Sequence, residues 1–495
     1  MSPNKINITI TPSFDEVRAL TQTGNCVPVF ASEQSDQLTP VCAFLKLGLE
    51  AKYGFLLESV SGGEQIGRYS FVGSNPYDVV ACTGTDPLTT VEDKLKNIRF
   101  KEVKGLPCLT GGAIGYIGFD CIHSFEPKTA RPLQDDLKVP DSIFMFCDEL
   151  VAFDRAKQTH QVISHIRFEG DSISDVQLRE LYDNATSKIH ALVRQLRDLY
   201  TPQPTQKPIG LDNVGTSNIG QSGYEGHVHA LKKHIKLGDI IQAVPSQRVS
   251  RPTDLHPFNI YRMLRTTNPS PYMFFIHLKD FQLVGASPEM LVKVVDRELE
   301  THPIAGTRKR GETDAEDKAL MEELLADTKE IAEHVMLVDL GRNDSNRVCE
   351  PDTVRVTSLM GIEKYSHVMH IVSKVKGMLR PECSIYDAFR SIFPAGTVSG
   401  APKIRAVQLI QEMEGIKRHF YAGAVGWFSY RGDTDTCIAL RTMMCQDGVA
   451  YLQAGGGIVF DSDPTAEYEE TVHKMKSNDD ALRRAEIYFK EYLNC

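Results

Sequence analysis

Two pairs of glutamates have the spacing that a carboxylate-rich site would require. Glu330 and Glu333, in TKEIAEHVML, stand three residues apart in a predicted helix, and Glu467 and Glu470, in TAEYEETVHK, repeat this spacing in a second predicted helix. Residues three apart share one face of a helix, so two facing pairs would gather four carboxylates. Such a site suits Mg²⁺, which keeps several waters and takes few protein carboxylates. The same spacing is common on solvated helix faces, and the spacing alone favours that second interpretation.

Other positions have groups suited to binding an anion or transferring a proton. Arg441 lies in the apolar, strand-like CIALRTMM, where its guanidinium needs a partner such as a substrate carboxylate or an internal Asp or Glu. Glu289, in GASPEMLV, could have a raised pKa and act as a general acid, or could be paired structurally. The glycines of AGGGI could leave main-chain N–H groups open to an anion or form a turn. Alone, His370 and Thr397 are typical of a histidine at the core edge and a threonine in a turn.

Composition excludes several classes of function. The 495 residues are 41% hydrophobic and 24% charged, as in ordinary globular proteins, and the length predicts at least two domains or one unusually large core. The net charge of −10 argues against a nucleic-acid-binding surface as the main function. The sequence has no apolar run long enough to cross a bilayer, no secretory signal and no convincing transit peptide, and its 11 cysteines are scattered. We therefore predict a cytoplasmic protein with reduced thiols and with neither nucleic acid nor a membrane as a partner.

Several common catalytic motifs are absent from the sequence. It contains no HExxH, no GxSxG elbow, no Walker A loop and no dinucleotide fingerprint. It also has no GxCxGxQ-type nucleophile loop followed by HxE, so this chain is not expected to hydrolyse glutamine itself. The Gly-rich segment 112–117 opens no helix. We predict that it and the similar segment 423–428 are strands whose glycines let neighbouring backbones approach closely.

The elements that must position these residues are strands in clusters and helices between them. Strands are predicted at 53–57, 142–146, 151–153, 272–278, 290–295 and 438–444, and helices at 174–200, 224–238, 315–340 and 466–493. The segment 201–223 is rich in Pro, Gly, Thr, Asn and Gln and is predicted to be a linker between residues 1–200 and 224–495. Clustered strands favour mixed α+β layers over a doubly wound parallel sheet.

Taken together, long blocks of the sequence resemble the chorismate-utilising enzymes: the anthranilate, aminodeoxychorismate, isochorismate and salicylate synthases. From Tyr224 to about Lys476 the blocks are GDIIQAVPSQR, GASPE, PIAGTRKRG, KEIAEHVMLVDLGRND, SHVMH, GTVSGAPK, GAVGW, DTCIALRT, QAGGGIV and EYEETVHK. LLESV and GRYSFVG look like the N-terminal region of the anthranilate and aminodeoxychorismate synthases. The resemblance implies a large α+β sandwich of antiparallel sheets covered by helices, with the two halves of the chain interleaved.

Two positions distinguish the chemistries within this family. Members that add water to chorismate have a lysine at the position of Gln242, and an amide has no useful basicity. Gln242 therefore implies a nucleophile that needs no base, namely ammonia. The aminodeoxychorismate enzymes typically carry a nucleophilic lysine at the position of Ala305, and alanine cannot attack. The resemblance thus implies direct attack of ammonia on chorismate to form anthranilate, the first step of tryptophan biosynthesis.

The resemblance also implies roles for individual residues. Mg²⁺ would be held by Glu333 and Glu470 with Glu330 and Glu467 alongside, and Glu289 would protonate the leaving hydroxyl group. The remaining members of the implied site are the catalytic assistants Gln242, His370 and Thr397 and the substrate-binding residues Gly306, Thr307, Tyr421, Arg441, Gly455, Gly456 and Gly457.

Partners and regulation follow from the same resemblance. Ammonia would come from glutamine through a separate glutamine amidotransferase subunit. Feedback inhibition by tryptophan is implied by two elements that resemble the family's tryptophan site, consisting of Leu57, Glu58 and Ser59 in one half and Asn268, Pro271, Tyr272 and Met273 in the other. Trp427 replaces a residue that is more often tyrosine, a departure that could alter the affinity for the inhibitor. Two alternatives stay open: an aminodeoxychorismate synthase, and an inactive subunit that only senses tryptophan.

Overall fold

The architecture consists of two large antiparallel sheets with helices around them. A computed structural model describes residues 8–59, 67–364 and 368–493. Among these residues the strands are β1 (Cys26–Gln34), β2 (Tyr53–Glu58), β3 (Tyr69–Ser74), β4 (Asp78–Cys82), β5 (Gly112–Ile117), β6 (Ser142–Cys147), β7 (Leu150–Asp154), β8 (Thr159–Arg167), β9 (Thr216–Ser217), β10 (Gln242–Ala243), β11 (Ser246–Pro252), β12 (Tyr272–Leu278), β13 (Phe281–Ser287), β14 (Met290–Val295), β15 (Glu298–Thr301), β16 (Ile304–Lys309), β17 (Arg355–Lys364), β18 (Val368–Met378), β19 (Gly400–Ala401), β20 (Ala424–Ser429), β21 (Thr434–Ile438), β22 (Thr442–Gln446) and β23 (Val449–Gly455).

The α-helices of the described ranges lie mainly outside these sheets. They are α1 (Phe14–Leu20), α2 (Pro40–Leu47), α3 (Pro87–Leu95), α4 (Ile122–Phe125), α5 (Asp175–Leu196), α6 (Gly220–Leu237), α7 (Pro257–Thr267), α8 (Asp314–Ala326), α9 (Thr328–Asn346), α10 (Ile385–Ile392), α11 (Lys403–Glu414) and α12 (Pro464–Leu493). Short 3₁₀ turns occur at Phe119–Cys121, Pro127–Thr129, Pro351–Thr353 and Gly396–Val398. None of the helices in the described ranges combines the length and the apolar character needed to cross a bilayer.

Both large sheets take strands from both halves of the chain. The first sheet has the order β1-β8-β7-β3-β2-β12-β13-β22-β23-β11-β9, and the second has the order β16-β18-β15-β14-β21-β20-β5-β6-β4, with β17 beside β18. The halves meet where β2 pairs with β12 and where β5 pairs with β20, always antiparallel. The predicted α+β sandwich with interleaved halves is confirmed, whereas the assignment of residues 1–200 and 224–495 to separate domains stays a prediction.

Alternation along the strands divides the interior into two layers. Phe274 on β12 belongs to the apolar core between the two sheets, while its neighbour Phe275 packs in the core between the first sheet and helices. Successive side chains of a strand point to opposite faces, so a strand buried on both faces needs apolar residues at every position. The sequence YMFFIHL of β12 meets that requirement almost throughout.

The two similar Gly-rich segments form the adjacent strands β5 and β20, which confirms their interpretation as strands. Gly115 lies opposite Gly426 in this pair. A Cβ at position 115 would lie 1.9 Å from the carbonyl oxygen of Ile143, and one at position 426 would lie 2.2 Å from that of Asp435. Any side chain at either position would push the neighbouring strand away.

Two predicted elements are each divided in the structure. The predicted helix at 315–340 is α8 followed by α9, because Asp327 leaves the helical conformation and accepts hydrogen bonds from the backbone N–H groups of Lys329 and Glu330 as the N-cap of α9. The predicted strand at 438–444 is β21 followed by β22, which lie in different sheets. Arg441, between them, has φ of +49°, a left-handed conformation that ends a strand.

The helix ends around the predicted linker agree with the sequence, but the linker itself contains ordered elements. Ser174 caps α5, and Gly238, with φ of +82°, ends α6. α6 begins at Gly220, earlier than predicted, and β9 lies within the linker segment. The Gln206 side chain of that segment accepts a hydrogen bond from the backbone of His256 at 2.9 Å. This segment is therefore attached to the C-terminal half rather than extended between two bodies.

Candidate active site

Glu289 and Arg441 lie where the chain passes from one large sheet to the other. Glu289 lies between β13 of the first sheet and β14 of the second, and Arg441 lies between β21 of the second sheet and β22 of the first. The two crossings are adjacent, since the backbone N–H of Ile438 donates to the carbonyl oxygen of Glu289 at 3.0 Å. Two chemically useful side chains that are 152 positions apart in the printed sequence thus belong to one region.

The carboxyl group of Glu289 is in a state suited to acid catalysis. It is buried and accepts a hydrogen bond from Thr397 Oγ1 at 2.9 Å. Burial penalises the charged form and raises the pKa of Glu289 to about 8, although the Thr397 hydroxyl and the Lys474 ammonium oppose this shift. Glu289 is therefore protonated at neutral pH and can donate a proton.

The glycines after β23 form a close-packed loop. The Gly456 N–H donates to the Tyr224 hydroxyl at 3.0 Å, and Tyr224 donates in turn to the carbonyl oxygen of Pro245 at 3.3 Å. A Cβ at position 455 would lie 2.3 Å from that same oxygen, and one at position 457 would lie 2.4 Å from Gln242 Nε2. A side chain at position 455 would therefore collide with backbone, and one at position 457 would displace the Gln242 amide, so the loop brings main chain into the site where a side chain would not fit.

The two glutamate pairs converge on this loop from α9 and α12. Glu333 Oε1 accepts a hydrogen bond from Gln242 Nε2 at 2.8 Å. A Cβ at position 456 would lie 2.8 Å from Glu467 Oε2, and a Cβ at position 457 would lie 3.4 Å from Glu333 Oε1. Burial, reinforced by neighbouring carboxylates, raises the pKa of both Glu333 and Glu467. The solvated-face interpretation is therefore wrong for Glu467, which is 8% exposed, and for Glu333, which is half-buried.

Countercharges lie beside the other two glutamates. Glu330 forms an ion pair with Arg308 at 3.3 Å, and Glu470, which is largely exposed, forms one with Lys474 at 2.5 Å. Lys474 also donates to the carbonyl oxygen of Gly455 at 3.0 Å. The sequence reasoning missed both Lys474 and Tyr224. A signal for Lys474 was present, because a lysine four residues after a glutamate on a helix can pair with it.

The negative charge of the four carboxylates suits a magnesium ion, but the carboxylates do not form a complete set of protein ligands around one point. Within residues 8–59, 67–364 and 368–493, no three His, Cys, Asp or Glu side chains lie close enough together to hold a metal ion by themselves. One oxygen of Glu467 is nevertheless buried without a hydrogen-bond partner. Burying a carboxylate oxygen without a donor is costly, and a bound cation is one way to remove that cost. Mg²⁺ retains several waters and needs only a few carboxylates, so the residues present fit such an ion.

Two neighbouring strands of the second sheet, the edge strand β16 and the adjacent β18, contribute Gly306, Thr307 and His370. Thr307 on β16 lies opposite His370 on β18, and Thr307 Oγ1 is 3.1 Å from His370 Nδ1. The same nitrogen lies 3.1 Å from the carbonyl oxygen of Gly306. Burial lowers the pKa of His370, which favours the neutral imidazole. A Cβ at position 306, where φ is +69°, would lie 3.3 Å from Glu330 Oε2, so this strand borders the carboxylates.

Tyr421 and Arg441 face the other side of the glycine loop. The Tyr421 hydroxyl would lie 3.1 Å from a Cβ at position 455, and burial raises the pKa of Tyr421 to about 12. Arg441 donates to the carbonyl oxygen of Lys474. Among the described residues no carboxylate forms an ion pair with Arg441, so the internal acidic partner that its sequence context allowed is absent there. Burial lowers the pKa of this guanidinium, although Tyr421 and the more distant Glu470 oppose the shift.

A separate cavity of about 290 Å³ lies between the two sheets. Of the residues predicted to bind tryptophan, Leu57, Glu58 and Ser59 line it together with Pro271, Tyr272 and Met273, and the two segments meet where β2 pairs with β12. Asn268 ends α7 and is not among the residues that line the cavity, so its role in binding tryptophan stays a prediction.

The cavity contains few polar groups. Tyr272 donates to Asp435 at 3.0 Å, and Lys293 lies 3.8 Å from the same carboxyl group. Trp427, the only tryptophan of the chain, is also part of the wall. The Glu58 carboxylate is held at 2.8 Å by Arg265, so its charge is already balanced from outside the cavity.

Comparisons with known proteins agree with this geometry. Residues 54–479 match the model of the chorismate binding enzyme family. The chain is 52% identical to the probable anthranilate synthase component 1 of Schizosaccharomyces pombe, over 98% of this chain and 99% of that protein. It is also 52% identical to anthranilate synthase component 1 of Saccharomyces cerevisiae, over 97% of each.

Two solved structures share the fold. The crystal structure of anthranilate synthase component I from Streptococcus pneumoniae is similar with a TM-score of 0.71 at 36% identity, over 90% of this chain and 98% of that chain. The menaquinone-specific isochorismate synthase from Escherichia coli is similar with a TM-score of 0.72 at 17% identity, over 94% of this chain and 98% of that chain. At that identity, the second likeness concerns the fold alone.

Proposed function

The chain belongs to the anthranilate synthase component 1 family of chorismate-binding enzymes, and we propose that it converts chorismate and ammonia to anthranilate, pyruvate and water. The observation that carries this proposal is the buried amide of Gln242, which is 2.8 Å from Glu333 and packed against Gly457. A group with no useful basicity beside the reacting centre suits a nucleophile that needs no base to remove a proton before it attacks, and ammonia, with its available nitrogen lone pair, is such a nucleophile. Ala305 in turn offers no nucleophile of its own to the substrate.

Loss of the ring hydroxyl is the step assigned to Glu289. Ammonia forms a C–N bond at the ring carbon next to the ring carboxylate, and the C–O bond of the hydroxyl breaks. Protonated Glu289 supplies the proton with which the hydroxyl leaves as water, because burial keeps its pKa at about 8. The Thr397 hydroxyl, 2.9 Å away, holds the carboxyl group in one orientation and stabilises the carboxylate once the proton has left. The added nitrogen then loses a proton and becomes an amine.

The second step releases pyruvate and makes the ring aromatic. The enolpyruvyl C–O bond breaks, a ring proton is lost, and the side chain leaves as pyruvate. Arg441, which lacks a carboxylate partner among the described residues, would bind the enolpyruvyl carboxylate together with the Tyr421 hydroxyl. Gly306, Thr307 and the loop Gly455–Gly457 would place main-chain and hydroxyl donors on the substrate. Neutral His370 would assist from β18, the strand beside β16.

Mg²⁺ is the proposed cofactor. Glu333 and Glu470 would hold it, with Glu330 and Glu467 alongside, and the buried oxygen of Glu467 that has no hydrogen-bond partner supports a cation there. When bound, the ion would supply Lewis-acid polarisation of the ring carboxylate. These four glutamates would then serve to place the ion and the substrate rather than to transfer protons.

The partner would be a glutamine amidotransferase subunit, since the chain lacks the nucleophile loop of a glutaminase. We propose that the enzyme is cytoplasmic and uses glutamine only in complex with that subunit. Without the subunit, the chain would use free ammonia. The cavity between the sheets is the proposed site of feedback inhibition by tryptophan. An amphipathic amino acid suits its apolar walls and the few polar groups provided by Ser59, Lys293 and Asp435.

The purified chain, supplied with chorismate, Mg²⁺ and ammonium at mildly alkaline pH, tests the proposed reaction directly. We expect fluorescent anthranilate and an equal amount of pyruvate. Aminodeoxychorismate or isochorismate as the main product would refute the assignment, and so would a complete lack of turnover by a protein that is folded and binds tryptophan. Glutamine should replace ammonium only when the amidotransferase subunit is added.

A further inference from the structure

Lys474 is the cation that touches the carboxylate cluster most directly. It lies on α12 one helical turn after Glu470, and its ammonium group is 2.5 Å from Glu470 Oε1. The same group donates to the carbonyl oxygen of Gly455 at 3.0 Å. Lys474 therefore joins a carboxylate of α12 to the end of β23, across the site.

The charge of Lys474 reaches well beyond this one pair. Its ammonium also stabilises the ionised forms of Glu289, Glu333 and Glu467. The backbone of Lys474 is held in place too, because Arg441 donates to its carbonyl oxygen. One flexible side chain with an anchored backbone thus provides a positive charge near several acids.

We propose that Lys474 is a positioning residue that competes with the divalent cation for Glu470. The inference rests on the proposed function, because it takes Glu470 as a ligand of Mg²⁺. The Lys474 ammonium occupies Glu470 Oε1, holds that carboxylate towards the glycine loop, and withdraws from it when the ion binds. The lysine keeps the site assembled between turnovers and at the same time weakens the binding of the ion.

Two physical reasons support competition. A carboxylate oxygen shared by an ammonium and a divalent ion would bring two cations within a few ångströms of each other, and their repulsion is strong in a partly desolvated site. The Lys474–Glu470 pair is also easy to break. Its side chains are 36% and 49% exposed, and ion pairs with that exposure contribute little to stability. The ammonium has three N–H donors. It can therefore leave Glu470 and still donate a hydrogen bond to the carbonyl oxygen of Gly455.

The test is calorimetric titration of the purified protein with MgCl₂ alone, without substrate. Lys474→Met removes the ammonium but keeps a side chain of similar length, and we expect roughly three- to ten-fold tighter binding of Mg²⁺ than in the wild type. Lys474→Arg keeps the charge and should bind Mg²⁺ within about twofold of the wild type. The matched control is Lys476→Met, which removes an equal charge from an exposed position of the same helix.

Thermal melting provides a second readout. Without Mg²⁺, Lys474→Met should have a lower melting temperature than the wild type. The negative charges of Glu470 and the neighbouring glutamates then repel one another with no ammonium group to offset them. With saturating Mg²⁺ its stabilisation should exceed that of the wild type, since a tighter ligand stabilises more at equal concentration. A purely structural role would lower the melting temperature without changing the affinity for Mg²⁺.

The outcomes are distinguishable. Equal or weaker Mg²⁺ binding by Lys474→Met, with the protein folded, would overturn the competition even if the wild type makes anthranilate. Tighter binding by Lys476→Met to the same extent would also overturn it, because the effect would then be one of net charge. A wild type that binds no Mg²⁺ by calorimetry would refute the proposed metal site itself, and the competition with it.

Discussion

Replacing Glu289 with glutamine separates its proposed role as an acid from its role in packing. The glutamine side chain would keep the shape of the original one and could still accept the hydrogen bond that Thr397 Oγ1 donates at 2.9 Å. It cannot donate a proton from a carboxyl group. We expect Glu289→Gln to lower kcat for anthranilate formation by about 10²- to 10⁴-fold, the usual contribution of a positioned general acid. KM for chorismate should change much less.

The pH dependence of turnover provides a second test of the acid role of Glu289. Since the pKa of Glu289 is about 8, the wild type should lose activity about tenfold per pH unit above pH 8, as the carboxyl group loses its proton. The residual activity of Glu289→Gln should lack this alkaline limb. The assay follows anthranilate fluorescence from pH 6 to pH 10 with the concentration of free ammonia held constant, so that ammonia does not supply the slope.

Stability should also depend on pH through Glu289, but at lower pH than activity does. The pKa of Glu289 is raised from 4.5 to about 8 on folding. Its stabilising contribution is therefore complete below pH 4.5 and is lost as the pH rises towards 8, because the buried carboxylate costs more than the exposed one. Between pH 5 and pH 7 the loss amounts to about 2.5 kcal/mol. Over that range the stability of Glu289→Gln relative to the wild type should rise by this amount, measured by denaturant unfolding.

The matched control is Glu322→Gln, on an exposed position of α8, which should alter neither activity nor the pH dependence of stability. Near-normal turnover of Glu289→Gln would refute the acid role. An unchanged alkaline limb in the variant would show that another group titrates there. A constant stability difference between pH 5 and pH 7 would show that Glu289 is ionised in the folded protein, and the reasoning from burial would be wrong.

The remaining predictions concern the carboxylates, the cavity and the glycine loop. Glu333→Gln should abolish Mg²⁺-dependent turnover and the thermal shift produced by Mg²⁺, and normal turnover with unchanged magnesium dependence would contradict its role as a ligand. Ser59→Leu should weaken tryptophan inhibition by about one to two orders of magnitude, equivalent to a lost hydrogen bond of roughly 1.5–3 kcal/mol. Turnover without inhibitor should not change. Unchanged inhibition in the folded variant would place the regulatory site elsewhere. Gly457→Ala should reduce turnover at least about tenfold, because its Cβ would lie 2.4 Å from Gln242 Nε2 and displace that amide. The control Gly226→Ala should not change turnover, since no atom lies within 4 Å of the added Cβ. Equal activity of the two variants would contradict the close packing of the loop.

Local patterns predicted much of the secondary structure correctly. Ser174 and Gly238 end their helices as expected, because a serine that accepts a backbone N–H and a glycine in the left-handed region act within a few residues of themselves. The strand at Tyr272–Leu278 was predicted at its observed bounds. The sequence did not predict the break at Asp327, because the apolar spacing of the helix continues through it. An aspartate before Thr-Lys-Glu is nevertheless a good N-cap.

The sequence by itself determined the chemical groups and their local spacing: which residues are acids, that Glu330 with Glu333 and Glu467 with Glu470 share helix faces, and that glycine stands at Gly455–Gly457. Only the tertiary structure decided that these two faces meet across the glycine loop and that Arg441 forms no ion pair with a carboxylate in the described ranges. The reason is physical. Helix and strand periodicity depends on neighbours along the chain, whereas the raised pKa of Glu289 depends on desolvation by residues brought together from distant parts of the chain.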